Sequence, residues 1–583
     1  MTSRFVIITF AALTASVISA GAVGLTLSPS ATSNTYSGVL TVQITGLTNG
    51  EPVLVEKYLD SNGNGVIDLA EPLIDSFTIR DGGVSVIGGV TNLNVPFDSN
   101  PASGAITTTL SLAAAIEMVV AKHMFRFVSP YGNFTPQTNS FTVTNAAFAQ
   151  SVSGTVSVGL APVPYAIVVV LSQPNFNFVT AVFADGSGHY SVKLAPGSYG
   201  LMPVLPNYYT DQSHAGMVTL ASGQTATADL FLTNGSPSYT ISGQVADATN
   251  GAPLAGVFMQ FESGDLFAIA FTDANGNYSA ALSPSFWRVK LESNRLARRA
   301  YVTAQTQVDA TAGSVAGVSL PLPKANALFY GRITDNASVP FGNIDFHAQD
   351  SVQQFKSDGY SDASGNYAVA VLASGGSWSD SPSTSENPTL YNYIVNSFGD
   401  TAISAGQAIR QDFIATRATA QISGRLQDNA GNAVAGIGIG GNATIAGTLF
   451  NIYSTTDSSG NYAMPAAAGN WSLWVNCCGN EGLDSRGLFD PFNHNVPVPP
   501  TNAVLNITVY PTGTPFLTQP MRFSPTQFGF NLNGSPGSNY TVKASTDLVN
   551  WTNLFSVNLS SNSMFLQDTQ ATAIRKFYKV QKN

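Results

Sequence analysis

Cysteine is nearly absent from this chain of 583 residues, which has two, the adjacent Cys477 and Cys478. That excludes a disulfide framework. Charge is scarce as well, at 10% of residues against ~25% in an average globular protein. Its 24 lysines and arginines are outnumbered by 34 aspartates and glutamates, for a formal net charge of −10. With no basic excess to displace counterions from phosphates, nucleic acid is not an expected partner, and neither is a polybasic contact with a membrane surface. The five histidines are scattered without metal-ligand spacing. No G-x-S-x-G elbow, phosphate loop or dinucleotide fingerprint occurs. Carboxylates that fall near each other, such as Asp484 and Asp490, arise by chance among 34 acids. No segment carries the sustained helical patterning of an α/β catalytic domain. The reading is of a non-enzyme with no catalytic residues.

Apolar material, by contrast, is plentiful. Hydrophobic residues reach 44%, with 34 Phe and 21 Tyr, enough for several cores and too much for a disordered chain. Met1-Thr-Ser-Arg4 precedes an apolar run from Phe5 to Ala20 and a small-residue site, Ala20-Gly21-Ala22. One positive charge, a short apolar run and small residues form a secretory signal peptide over residues 1–22, and the run falls short of the ~20 residues that span a bilayer. The expected location is therefore outside the cell or on its surface, with no membrane span in the mature chain. Neighbouring Cα atoms lie about 3.8 Å apart, below the usual 4.4–6.8 Å of a disulfide, so a Cys477–Cys478 bond would be strained. Two free thiols and a vicinal disulfide both stay open.

Internal repetition is the strongest feature. A strand-like start recurs as Val152-Ser-Gly154-Thr-Val156, Ile241-Ser-Gly243-Gln-Val245, Phe329-Tyr-Gly331-Arg-Ile333 and Ile422-Ser-Gly424-Arg-Leu426. These glycines are 89, 88 and 93 residues apart. In phase with them follow Asp185-Gly-Ser-Gly-His-Tyr190, Asp273-Ala-Asn-Gly-Asn-Tyr278, Asp362-Ala-Ser-Gly-Asn-Tyr367 and Asp457-Ser-Ser-Gly-Asn-Tyr462. Asp to cap a turn, Gly to take positive φ and Tyr to open a strand make hairpin chemistry rather than a metal site. A third aromatic comes later in each repeat: Tyr199, Trp287, Trp378 and Trp471. In Trp287-Arg-Val289-Lys-Leu291 the apolar residues share one face, which makes these aromatics core anchors. The fold class is all-β, with tandem β-sandwich modules in series.

The segment Ile241–Val257 with Asp273–Tyr278 resembles the carboxypeptidase regulatory-like domain. Ile422–Val434 with Asp457–Tyr462 is similar to it almost as well, and residues 152–200 and 329–380 more loosely. The resemblance implies seven-stranded, transthyretin-like sandwiches of a carbohydrate-binding-like fold, without catalytic residues of their own. It divides the chain into the signal peptide, an N-terminal β-sandwich (23–146), repeat 1 (147–235), repeat 2 (236–324), repeat 3 (325–417), repeat 4 (418–513) and a C-terminal β domain (514–583). That last part resembles a small domain found at the C-terminus of secreted bacterial proteins, with Tyr540-Thr-Val542, Ser545-Thr-Asp-Leu548, Trp551 and a final Phe577-Tyr-Lys-Val580. Trp551 is expected in its core.

Residues 60–71 match D-x-[DN]-x-[DN]-G-x5-E at every specified place. Asp60, Asn62 and Asn64 offer side-chain oxygens and Val66 its carbonyl. Gly65 makes the sharp turn, Asp68 ligates directly or through water, and Glu71 closes the sphere bidentately. Calcium, in a structural role, is the cofactor this spacing implies. Pro72 follows at once and Leu73–Ile79 alternates, so the loop is expected between strands rather than between the helices of an EF-hand.

The function expected from these features is an extracellular structural or adhesive string. The alternative is a carbohydrate-binding protein. For that, alternation from Trp471, Leu473 and Val475 puts Trp474 on the outer face as the ligand-binding candidate. Partners would be an extracellular polysaccharide or a surface protein. The basic run Arg288, Lys290, Arg295, Arg298 and Arg299 reads as a solvated face.

Overall fold

The computed structural model describes residues 22–583 apart from 37, 70, 113–114, 174–176, 235–237, 385–386, 477–481, 493 and 562. The signal-peptide reading and the cysteine pair fall outside the described residues. The chain is all-β. It divides into two compact units, one of residues 1–334, 338–383 and 398–412, the other of 335–337, 384–397 and 413–583.

Repeat 2 shows how a module is made. Tyr239–Asp247, Asn277–Leu282 and Val315–Leu322 form a three-stranded sheet. Phe258–Ser263, Leu266–Phe271, Phe286–Leu291 and Thr306–Asp309 form the facing one. Alternate residues point inward, so Ile241, Val245, Met259, Phe261, Tyr278, Trp287 and Val289 meet in one core. Trp287, Trp378 and Trp471 are fully buried, as their alternation requires, and Tyr199 is buried in the same place. Each still satisfies its polar atom at a backbone carbonyl: Trp287 at Ser283, Trp378 at Leu372, Trp471 at Ala467 and Tyr199 at Ala195.

The repeated Gly and Tyr have one shared cause. They are cross-strand partners in all four repeats: Gly154 with Tyr190, Gly243 with Tyr278, Gly331 with Tyr367 and Gly424 with Tyr462. A carbonyl near the closing strand lies over each glycine. A Cβ there would sit 1.9 Å from Ala228 O, 1.9 Å from Val318 O, 2.0 Å from Gln411 O and 1.7 Å from Leu505 O, respectively. The tyrosine hydroxyl donates to that same oxygen at 2.7, 3.1, 2.9 and 2.6 Å. In three repeats the next N–H is met by a side-chain oxygen, of Asp229, Asp412 or Asn506. The turn aspartates accept two backbone N–H bonds each, Asp273 from Asn275 and Asn277 for example. Gly276 in that turn has φ +71°.

Successive modules are joined by strands that one contributes to the next. In the first unit, Val119–Val120 of the N-terminal domain runs parallel to Asn177–Phe183 of repeat 1. Tyr209–Asp211 of repeat 1 pairs with Leu266–Phe271 of repeat 2, and Thr303–Ala304 of repeat 2 with Phe355–Tyr360 of repeat 3. In the second unit, Tyr393–Asn396 pairs with Thr448–Thr455 of repeat 4. Each acceptor strand holds the same place in its repeat, and its edge is thereby covered. A second apolar cluster in the first unit draws on three modules at once, with Leu59 and Ile74, Ile167 and Met202, and Ile269.

The C-terminal domain is two three-stranded sheets around Phe530, Leu532, Tyr540, Val542 and Leu559. Trp551 departs from expectation. It lies outside that core, half-buried, with the Lys579 ammonium 4.2 Å from its ring centroid and its Nε1 donating to Leu548 O. The short turn after Leu548 carries the ring to the sheet surface, where a lysine stem can cover it.

Gly243→Ala is expected to lower the unfolding free energy of residues 23–583 by about 3 kcal/mol or more, because the backbone carbonyl above it cannot yield. Tyr278→Phe should lower it by ~1 kcal/mol, by removing the hydroxyl that donates to Val318 O. Denaturant titration followed by circular dichroism measures both, and a wild-type midpoint for either would refute the shared-carbonyl account.

Candidate calcium loop and the buried charges beside it

In the N-terminal domain a three-stranded sheet, Gly24–Ser28, Val39–Thr45 and Ala105–Ser111, faces a five-stranded one. The hairpin Pro52–Asp60 and Leu73–Arg80 belongs to the second sheet, and residues 60–71 close it. Gly63 and Gly65 take φ of +74° and +76°, which lets the chain double back within five residues of Asp60. Asp60 Oδ2 accepts from Gly65 N at 2.7 Å, Asn62 Oδ1 from Asn64 N at 2.9 Å and Asn64 Oδ1 from Val66 N at 2.7 Å. Both asparagine amides donate to Asp68 Oδ2 at 2.8 Å, and Glu71 Oε2 accepts from Asp68 N at 3.2 Å.

Asp60 and Glu71 are 2% and 6% exposed. Asp60 Oδ1 and Glu71 Oε1 are buried and accept no hydrogen bond among the described residues. Burial, then the charge of Asp60 and its carboxyl–carboxyl contact with Glu71, then the charge of Asp68, push the Glu71 carboxyl up to about 7, against the Asp68 N–H that lowers it. The Lys122 ammonium lies 4.0 Å from Asp60 Oδ2. Oxygen donors without nitrogen or sulfur, two of them buried and unbonded, suit a hard cation of calcium's size. Asn62, Asn64 and Val66 lie at the exposed rim of the same loop. Their two side-chain oxygens face backbone N–H groups and would have to turn to reach an ion.

At the same hairpin lies a group of buried charges that includes Arg295, Arg298 and Arg299, expected in solvent from the sequence. Arg298 Nη1 meets Asp75 Oδ2 at 3.0 Å and Glu117 Oε1 at 2.8 Å, and Arg299 Nη2 meets Asp75 Oδ1 at 3.2 Å. Lys57 pairs with Glu117, and Arg295 donates to the Ile74 carbonyl. Lys57, Asp75, Glu117, Arg295 and Arg298 are all buried. Burial alone would raise the Glu117 carboxyl, but Lys57 and then Arg298 hold it well below the ordinary carboxylate value. Arg295, Arg298 and Arg299 are thus an internal anchor, and only Arg288 and Lys290 remain at the surface, beside Glu262. A signal was present. Lys57 is in phase with Val53, Val55 and Leu59, and Asp75 with Phe77 and Ile79, on faces that alternation buries.

Trp474 is 39% exposed on the outer face of Gly469–Val475, opposite Gly440. It lies in the second unit and the calcium loop in the first.

No family model matches the chain, and no curated protein matches it. Among solved structures, the Bacillus anthracis TIE protein is similar at 12% identity over 67% of this chain and 74% of its own, with a TM-score of 0.15. A streptococcal ancillary pilin is similar at 12% identity over 46% of this chain and 98% of its own, TM-score 0.15. The major pilin subunit of Bacillus cereus follows at 9% identity over 46% and 99%, TM-score 0.13. Scores this low assign no function.

Glu117→Gln is expected to lower the unfolding free energy by roughly 3–5 kcal/mol, because Lys57 and Arg298 lose a buried counter-charge. Arg410→Gln, at the exposed Arg410–Asp412 pair, should cost under ~1 kcal/mol. Equal costs in denaturant titration would show that the buried network is not a structural anchor.

Proposed function

We propose that this chain is an extracellular, non-catalytic modular protein with a structural or adhesive role, stabilised by a calcium ion in its N-terminal domain. The observation that carries the reading is the strand that the N-terminal domain and repeats 1 to 3 each contribute to the sheet of the following repeat. Such joints suit a protein that holds its modules in fixed order more than one that closes around a substrate. The resemblance to carboxypeptidase regulatory-like domains supports the same reading, since those domains serve as accessory or surface modules. Asp60, Asn62, Asn64, Val66, Asp68 and Glu71 are the proposed ligands, with the two buried unbonded oxygens as the support.

With free calcium at ten times Kd the expected stabilisation is about 1.4 kcal/mol, which raises the melting temperature of residues 23–583. Glu71→Gln should remove that increment. A melting temperature indifferent to both calcium and chelator would count against the site.

Carbohydrate binding is the second reading, favoured by the exposure of Trp474, an aromatic surface on which a sugar face can stack. Retention of residues 23–583 on a panel of insoluble polysaccharides separates the two. The structural reading expects no retention on any polymer. Retention that persists in chelator and disappears in Trp474→Ala would replace it with glycan recognition.

A further inference from the structure

The hairpin that ends in the candidate calcium loop is also the surface on which repeat 2 docks. Its register pairs Lys57 with Asp75 and then Tyr58 with Leu73, so Ile74 is an extra residue bulged out of the ladder. The Ile74 carbonyl, thus turned away from its neighbour, accepts from Arg295 of repeat 2. One residue further on, Asp75 holds Arg298 and Arg299. Arg298 also donates to Ser111 O at 2.5 Å and reaches Glu117, which holds Lys57 on the opposite strand of the hairpin. These arginines come from the short helix Ser293–Ala297 and the two residues after it.

Apolar contacts follow the same route. Leu59, adjacent to Asp60, is buried in a cluster with Ile74 and with Ile269 of repeat 2, against which Phe258 packs. Gly256 of repeat 2 has φ +66° and comes so near that a Cβ would lie 3.0–3.1 Å from the Asp75 backbone. The distance in sequence is short. Asp60 and Glu71, at the ends of the loop, are one and three residues from Leu59 and Ile74, at the contact with repeat 2. An ion held between Asp60 and Glu71 would thus act on the two strands that carry the bulge and Asp75.

We propose that calcium binding at residues 60–71 and docking of repeat 2 onto the N-terminal domain are thermodynamically coupled, so that the ion locks this junction. The inference rests on the calcium reading above. Coupling must be reciprocal: if the ion tightens the junction, weakening the junction lowers calcium affinity by the same factor.

Isothermal titration of residues 23–583 with calcium chloride tests it. Arg298→Met removes the charge anchor from the repeat 2 side, and Ile269→Ala removes an apolar contact without altering any charge. Each is expected to weaken calcium about tenfold, within the usual range of coupling, whereas Tyr462→Phe in repeat 4 should leave it unchanged. Should Arg298→Met fail to fold by circular dichroism, Ile269→Ala carries the test. Hydrogen exchange of residues 293–304 should slow when calcium is added to the wild type. Wild-type affinity in a folded Ile269→Ala or Arg298→Met variant overturns the coupling while leaving the site intact. Failure of the wild type to take up calcium overturns the site itself, and the coupling with it.

Discussion

Each repeat is closed by one backbone oxygen. The carbonyl of Ala228, Val318, Gln411 or Leu505 lies over a glycine and accepts from a tyrosine hydroxyl on the strand beyond it. Its position requires a residue without a Cβ below it and a donor of phenol length beside it. This explains why Gly and Tyr recur in phase when little else in the repeats does. The interaction joins the first strand, the strand after the turn and the closing segment, and so fixes the middle of one sheet of the module. The tryptophans, on strands of the facing sheet, fill the core, and their ring nitrogens find carbonyls a few residues back in the chain.

Modules built this way still have exposed sheet edges, and the chain covers them with its own next or previous segment. The short contributed strands occur where the turn-and-Tyr pattern is silent. Tyr209–Asp211 and Thr303–Ala304 have no alternation to speak of and are only three and two residues long. Their pairing is decided by the neighbouring module, which is why periodicity within a repeat could not reveal it. The buried charges between the N-terminal domain and repeat 2 have the same origin. Arg295, Arg298 and Arg299 lie close together in a short helix and its end, a pattern that in isolation belongs to a wet surface. Burial comes from Asp75 and Glu117, some two hundred residues earlier.

The oxygen-rich loop at residues 60–71 was the most legible part of the candidate site, because its pattern is complete within twelve residues. What spacing could not supply is the burial of Asp60 and Glu71 and the lack, among the described residues, of a donor to one oxygen of each. Nor could it tell that the two residues bounding the loop continue into an interdomain contact. Trp474 was placed on the outer face by alternation alone, and its exposure agrees. For Trp551 the same kind of pattern expected core, but the ring is half-buried under Lys579, since turn geometry sets its direction where alternation has ended.

Sequence by itself determined the strand periodicity, the four hairpin turns, the aromatic anchors and the oxygen-rich loop. All of these are local, each written in fewer than about twenty residues and governed by backbone preference and the two-residue period of a strand. Tertiary structure alone decided which carbonyl covers each glycine, which edge each contributed strand covers and which charges leave water. Those outcomes depend on groups tens to hundreds of residues apart. A local pattern carries no information about the dielectric or the partner that a side chain meets once the modules have packed.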